Sequence, residues 1–120
     1  MKNQAYRMAM LFDFYGDLLT ERQREFYDLY YNEDLSLAEI AENYGISRQG
    51  VRDVIVRAEA AMTEIEDKTH IIRRFQQSRA AIDAINNAAD RLLQSVDRRS
   101  YNDAMLDEIA RTIKENAAKL

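Results

Sequence analysis

The chain has no cysteine, no proline and no tryptophan, and only three glycines and one histidine among its 120 residues. Without cysteine there is no disulfide framework, no thiolate zinc site, no iron–sulfur ligation and no cysteine nucleophile. One histidine argues against a histidine-based metal site and against a Ser–His–Asp triad. No phosphate-cradling glycine loop is present, which argues against nucleotide hydrolysis. No apolar run approaches about 18 residues, and the start, MKNQAYRMAM, has no apolar signal core. The expectation is a cytoplasmic protein without membrane insertion. What is present is 47% hydrophobic and 32% charged residues, enough to bury a core in about one domain of chain. The net charge of −4 opposes attraction to nucleic acid over the whole surface but leaves room for a local basic face. The acidic excess lies in the first half: residues 1–60 hold 7 basic and 11 acidic side chains, and residues 61–120 hold 10 of each.

With so few breakers, nearly everything reads as helix. Met8, Leu11, Phe12, Tyr15, Leu18 and Leu19 recur at three- and four-residue spacing and predict a helix over about residues 3–19. Thr20 with Gln23 is a capping-box pattern, and the helix it opens turns Phe26, Leu29 and Tyr30 inward. Ser36 with Glu39 repeats the pattern and starts a short helix that Gly45 ends, in the left-handed conformation cheapest for glycine. Ser47 caps the next helix. From Val51 to Val96 a helical period persists, near-heptad from Ile65, with a break expected at 67–70 because helices average about 11–12 residues. Ser100 with Asp103 resembles a last N-cap, before a helix with Met105, Ile109 and Ile113 as its stripe. The fold class is all-α, with domains at 1–60 and 61–120.

One stretch carries a mechanism: SLAEIAENYGISRQGVRDVIVRAE. Ala41 is small where two helices cross closely, and Gly45 follows four residues later in the turn, the demands of a helix-turn-helix. Ile40, Tyr44, Ile46, Val51 and Val54 pack the pair. The second helix presents Arg48, Gln49, Arg52, Asp53 and Arg57 outward, three arginines against one aspartate in an acidic chain. Arginine pairs bidentately with guanine, and glutamine with adenine, at major-groove edges. Ser47 and the first backbone amides suit a phosphate. Against duplex DNA stand the carboxylates of Glu21, Glu25, Asp28, Glu33, Asp34, Glu39 and Glu42, which fit a protein partner at least as well. The arginines also read as a solvated, salt-bridged face.

Other clusters read as structure. Glu64, Glu66, Asp67 and His70 fit a surface ion pair, Glu66 with His70, better than a catalytic dyad. Asp103, Asp107 and Glu108 read as an exposed helix face rather than a metal site. Arg73, Arg74 and Arg79 around Phe75 are a solvent-facing side of an amphipathic helix. The aromatic residues are mostly core, with Phe14, Tyr27 and Tyr31 off the main inward faces and available to a protein interface. The stripe from Ile65 to Val96 packs within the chain, with a homodimer as a further way to cover it. No catalytic residue, metal or cofactor is expected.

LFDFYGDLLTERQREFYDLYYNEDLSLAEIAENYGISRQGVRDVIVRAE resembles the YlxM family of small bacterial proteins over about residues 8–60, most specifically in LLT, LYY, DLSLAEIAE and SRQGV. Those proteins resemble the helix-turn-helix domain with which sigma factors read promoter elements. The resemblance implies a sigma-like helix-turn-helix followed by long C-terminal helices. It also implies a non-enzymatic accessory or regulatory role in the signal recognition particle pathway, inferred for the family from neighbouring genes. By the sigma-like resemblance Ser47, Arg48, Gln49, Arg52 and Asp53 are the base- and phosphate-reading positions, with Arg57 beside them. The expected partners are signal recognition particle components or duplex DNA.

Overall fold

A computed structural model describes residues 5–120 of the chain, whose helices fall in two compact units that divide after residue 72. The helices are α1 (Ala5–Tyr15), α2 (Glu21–Tyr31), α3 (Leu37–Tyr44), α4 (Arg48–Thr69), α5 (Ile71–Asp97) and α6 (Asp103–Ala117). The expected start of α1 at Asn3 lies outside the described residues.

Local chemistry sets the helix ends of the first unit. Thr20 Oγ1 accepts the Gln23 amide at 3.2 Å while Gln23 Oε1 accepts the Thr20 amide at 3.1 Å. Ser36 and Glu39 make the same reciprocal pair at 3.1 and 3.2 Å. Each box satisfies amides that a helix start leaves without partners. Gly45 ends α3 at φ 66°, and the following amide, of Ile46, bonds Ala41 O at 3.1 Å. The long periodic stretch breaks at His70, which sits at φ 54° between α4 and α5, inside the expected window.

The core of this unit is built around α4, which packs against α1, α2 and α3. Met8, Leu11 and Tyr15 of α1, Phe26 and Tyr27 of α2, Ile40 and Ala41 of α3, and Val51, Ile55, Ala58 and Met62 of α4 are buried together. Three expectations change here. A short 3₁₀ turn at Gly16–Leu18 shifts the phase of α1, so Leu18 points to solvent, 69% exposed, instead of inward. Tyr27, expected near the surface, is fully buried, because its hydroxyl finds Met8 O at 3.0 Å and its ring stacks on Phe12 with centroids 5.1 Å apart. Phe14 and Tyr31 are half-buried against the same core.

In the second unit, α6 runs back antiparallel to α5: Ser95 Oγ lies 3.9 Å from Met105 Sδ, and Arg91 Nη2 lies 3.9 Å from Glu108 Oε2. The cap of α6 is Asn102, whose Oδ1 accepts the Met105 amide at 2.9 Å, not Ser100 as the sequence spacing suggests. The covered side of α5 is a seven-residue repeat of small residues, Ala81, Ala88 and Ser95, with Ile109 of α6. The larger members of the expected inward stripe, Ile82, Leu93 and Val96, are 46%, 68% and 55% exposed. Small residues permit burial under a neighbouring helix without a large side chain to accommodate, so they take the covered side.

Candidate functional site

The site is assembled by the α3–turn–α4 pair. Ile40, Ala41, Val51 and Ile55 are buried between and beneath the two helices, which holds α4 by one face and leaves the other in solvent. Ser47 opens α4: its Oγ accepts the Gly50 amide at 3.0 Å. A Cβ on residue 50 would lie 3.2 Å from that same oxygen, so glycine gives the cap room at the cost of helix propensity.

From that cap, Arg48, Gln49, Arg52, Asp53 and Arg57 all project on the exposed side of α4. Gln49 Nε2 donates to Asp53 Oδ1 at 2.9 Å, one helical turn on. None of Arg48, Arg52 and Arg57 takes part in an ion pair or hydrogen bond among the described residues. Three of the carboxylates of the first unit have partners of their own: Glu39 in the Ser36 capping box, Glu25 as acceptor of the Tyr44 hydroxyl, Asp17 with Arg24 at 3.2 Å. Val56, 38% exposed, places a small apolar surface among the guanidinium groups. Chemically, the face offers charged donors, one amide pledged to a carboxylate, and an apolar patch.

Four tyrosines of the first unit hold their protons more tightly than a free tyrosine. The Glu25 carboxylate that accepts from Tyr44, with burial second, raises the Tyr44 hydroxyl above its ordinary value of 10.0. Burial pushes Tyr31 up to about 12 and Tyr27 further still. Tyr15 is raised by burial first and by Glu66 second.

The remaining clusters are placed as well. Glu66 is half-buried, and its Oε1 accepts from Tyr15 Oη at 2.6 Å and from the Ile72 amide at 2.9 Å, a tie that no local spacing reveals. Lys68 pairs with Glu64 at 3.0 Å. Asp107 pairs with Arg111 at 2.7 Å and Glu108 with Arg91. Among the described residues no three His, Asp or Glu side chains come together to hold a metal, and no helix is long and apolar enough to cross a membrane.

Two helices joined by a left-handed glycine turn, the second capped by Ser47 and exposed along one edge, define a helix-turn-helix protein. The chain belongs to the UPF0122 family: the model of helix-turn-helix proteins described as YlxM / p13 like matches residues 2–102. It is 48% identical over 94 residues to a UPF0122 protein of Symbiobacterium thermophilum, covering 78% of this chain and 88% of that one. It is 40% identical over 108 residues to a UPF0122 protein of a Thermoanaerobacter strain, covering 90% and 92%. With a UPF0122 protein of Desulforamulus reducens it shares 48% over 82 residues, 68% and 70% of the two chains.

Proposed function

We propose that this chain is a non-enzymatic regulatory protein that acts through its helix-turn-helix in the signal recognition particle pathway. The contact surface is the 47–57 face of α4. One observation carries the reading: three guanidinium groups stand exposed on the outward edge of the second helix, without partners among the described residues, in a chain of net charge −4. An acidic protein gains nothing in solubility from a bare basic edge, whereas such an edge suits a phosphate-bearing ribonucleoprotein. The pathway itself is supported by the resemblance to the YlxM family. The test is co-purification with the particle's GTPase, run with and without nuclease, and GTP turnover with this protein in stoichiometric excess. Loss of capture in an Arg48→Ala, Arg52→Ala, Arg57→Ala variant supports the reading; no capture and unchanged turnover with the natural chain overturn it.

A DNA-binding transcriptional regulator is the second reading, favoured by the place of Arg48, Gln49 and Arg52 in the first turns of the second helix. That end of a helix-turn-helix meets base edges in the major groove. Selection of a preferred sequence from a random duplex pool, lost with Arg48→Ala, supports it; recovery of no sequence at modest salt removes it.

A further inference from the structure

The 73–120 unit lacks a core of its own. Its buried side chains are Ala81, Ala88, Ser95 and Ile109, a single large apolar residue among them. Two helices rarely bury enough apolar surface to be stable alone. Meanwhile α5 turns a second apolar strip to solvent. Exposed Ile82, Leu93 and Val96, with half-buried Ala89 between them, recur at spacings of seven, four and three, which keeps them on one side of a helix. This strip is not the side that α6 covers.

We propose that α5 packs antiparallel against α5 of a second copy of this chain, with Ile82 of each copy seated on Ala89 of the other. Size complementarity sets that register. With Ile82 opposite Ala89, Ser78 falls opposite Leu93, which joins a large residue to a small one at the four central contacts, and at each end Phe75 falls opposite Val96, two exposed apolar side chains. The arrangement is its own mirror about a twofold axis between residues 85 and 86, as an isologous interface must be.

Charge favours the same direction. Arg79 and Asp90 border the strip, and neither makes an ion pair among the described residues. In the antiparallel register the two come within about two residues of each other across the interface, roughly 3 Å of helix rise, well inside the reach of an arginine. A parallel pair would instead set Arg79 against Arg79.

The area is adequate. The 27 residues of α5 span about 40 Å, and a strip one helix wide, about 10 Å, covers roughly 400 Å². The Arg91–Glu108 pair holds the opposite edge of the hairpin, so the half-buried Leu106 and Ile113, which point away from Glu108 on α6, border the strip. The 15 residues of α6 add roughly 200 Å², which brings the total to the lower edge of specific interfaces, about 1,200 Å² over both partners. Two hairpins so joined form a four-helix arrangement with a shared core.

Sedimentation equilibrium of the full chain is the first test, and a reversible dimer at micromolar concentration is expected. Ile82→Glu should raise the dimer Kd at least about a hundredfold by placing a charge at each of two buried contacts, with helical content by circular dichroism unchanged. The chain has no cysteine, so an introduced thiol is unique. Asn86→Cys, beside the axis, should cross-link to its own copy under mild oxidation, and Val96→Cys should not. A chain that stays monomeric, or a dimer that Ile82→Glu leaves intact, overturns the surface. Cross-linking of Val96→Cys as fast as Asn86→Cys overturns the antiparallel register.

Discussion

The Tyr15 hydroxyl on α1 donates to Glu66 Oε1 at 2.6 Å, across 51 positions of sequence, and Thr69 Oγ1 lies 2.9 Å from the same hydroxyl. The carboxylate oxygen that receives Tyr15 also receives the Ile72 amide, so one acidic side chain ties the first helix of the unit to the first turn of α5. Removing either partner takes a charge-assisted bond from the other, leaving the buried Tyr15 hydroxyl with Thr69 alone or the half-buried Glu66 carboxylate without its tyrosine donor. Tyr15→Phe is expected to destabilise the chain by about 1–3 kcal/mol, and Glu66→Ala by a similar amount. Urea unfolding, followed by circular dichroism, checks both.

Alkaline pH should unfold this protein through its tyrosines. The hydroxyls of Tyr15, Tyr27, Tyr31 and Tyr44 all hold their protons more tightly in the folded state, chiefly through burial, or through Glu25 at Tyr44. A raised folded value gives stability that is complete below the ordinary 10.0 and is lost as pH rises through the folded values, about 12 for Tyr31. Stability should therefore hold up to about pH 10 and fall above it. Tyrosinate absorbance measured alongside circular dichroism should show part of the ionisation arriving only with loss of helix.

Two of the left-handed positions, Gly45 and His70, predict opposite signs. At Gly45, φ 66°, a Cβ would meet nothing within 4 Å, so Gly45→Ala costs backbone strain alone, about 1–2 kcal/mol. His70 already bears that strain at φ 54°. His70→Gly should be neutral or stabilising by up to about 1 kcal/mol, as the relief outweighs the freedom that glycine adds to the unfolded chain. Paired denaturation curves decide it.

The arginine face should be separable from stability. Arg48→Ala, Arg52→Ala and Arg57→Ala each remove an exposed group with no partner among the described residues, so unfolding free energy should move by less than about 0.5 kcal/mol. If each meets a phosphate, the slope of log affinity for nucleic acid against log salt should flatten by roughly one unit per arginine. Affinity titrations over a salt series measure this.

A core substitution provides the contrast. Ile55 is fully buried on the inward side of α4, and Ile55→Ala should cost about 2–5 kcal/mol, with melting temperature as the readout.

The helix starts at Thr20, Ser36 and Ser47, the stop at Gly45 and the break near His70 were legible in the sequence, as was the outward set from Arg48 to Arg57. Each of these depends on groups three or four residues apart, whose hydrogen bonds close within one helical turn. Tertiary structure alone decided what depends on distant partners. The choice of Asn102 over Ser100 as a cap followed from where the chain turns. The burial of Tyr27 required Met8 O, and the tie at Glu66 required Tyr15. The Gly16–Leu18 turn rotated Leu18 out, and α6 covered alanines rather than the larger apolar residues of α5. A local bond is encoded by neighbours in the chain, whereas a side chain's burial is settled by whichever helix arrives from elsewhere to cover it.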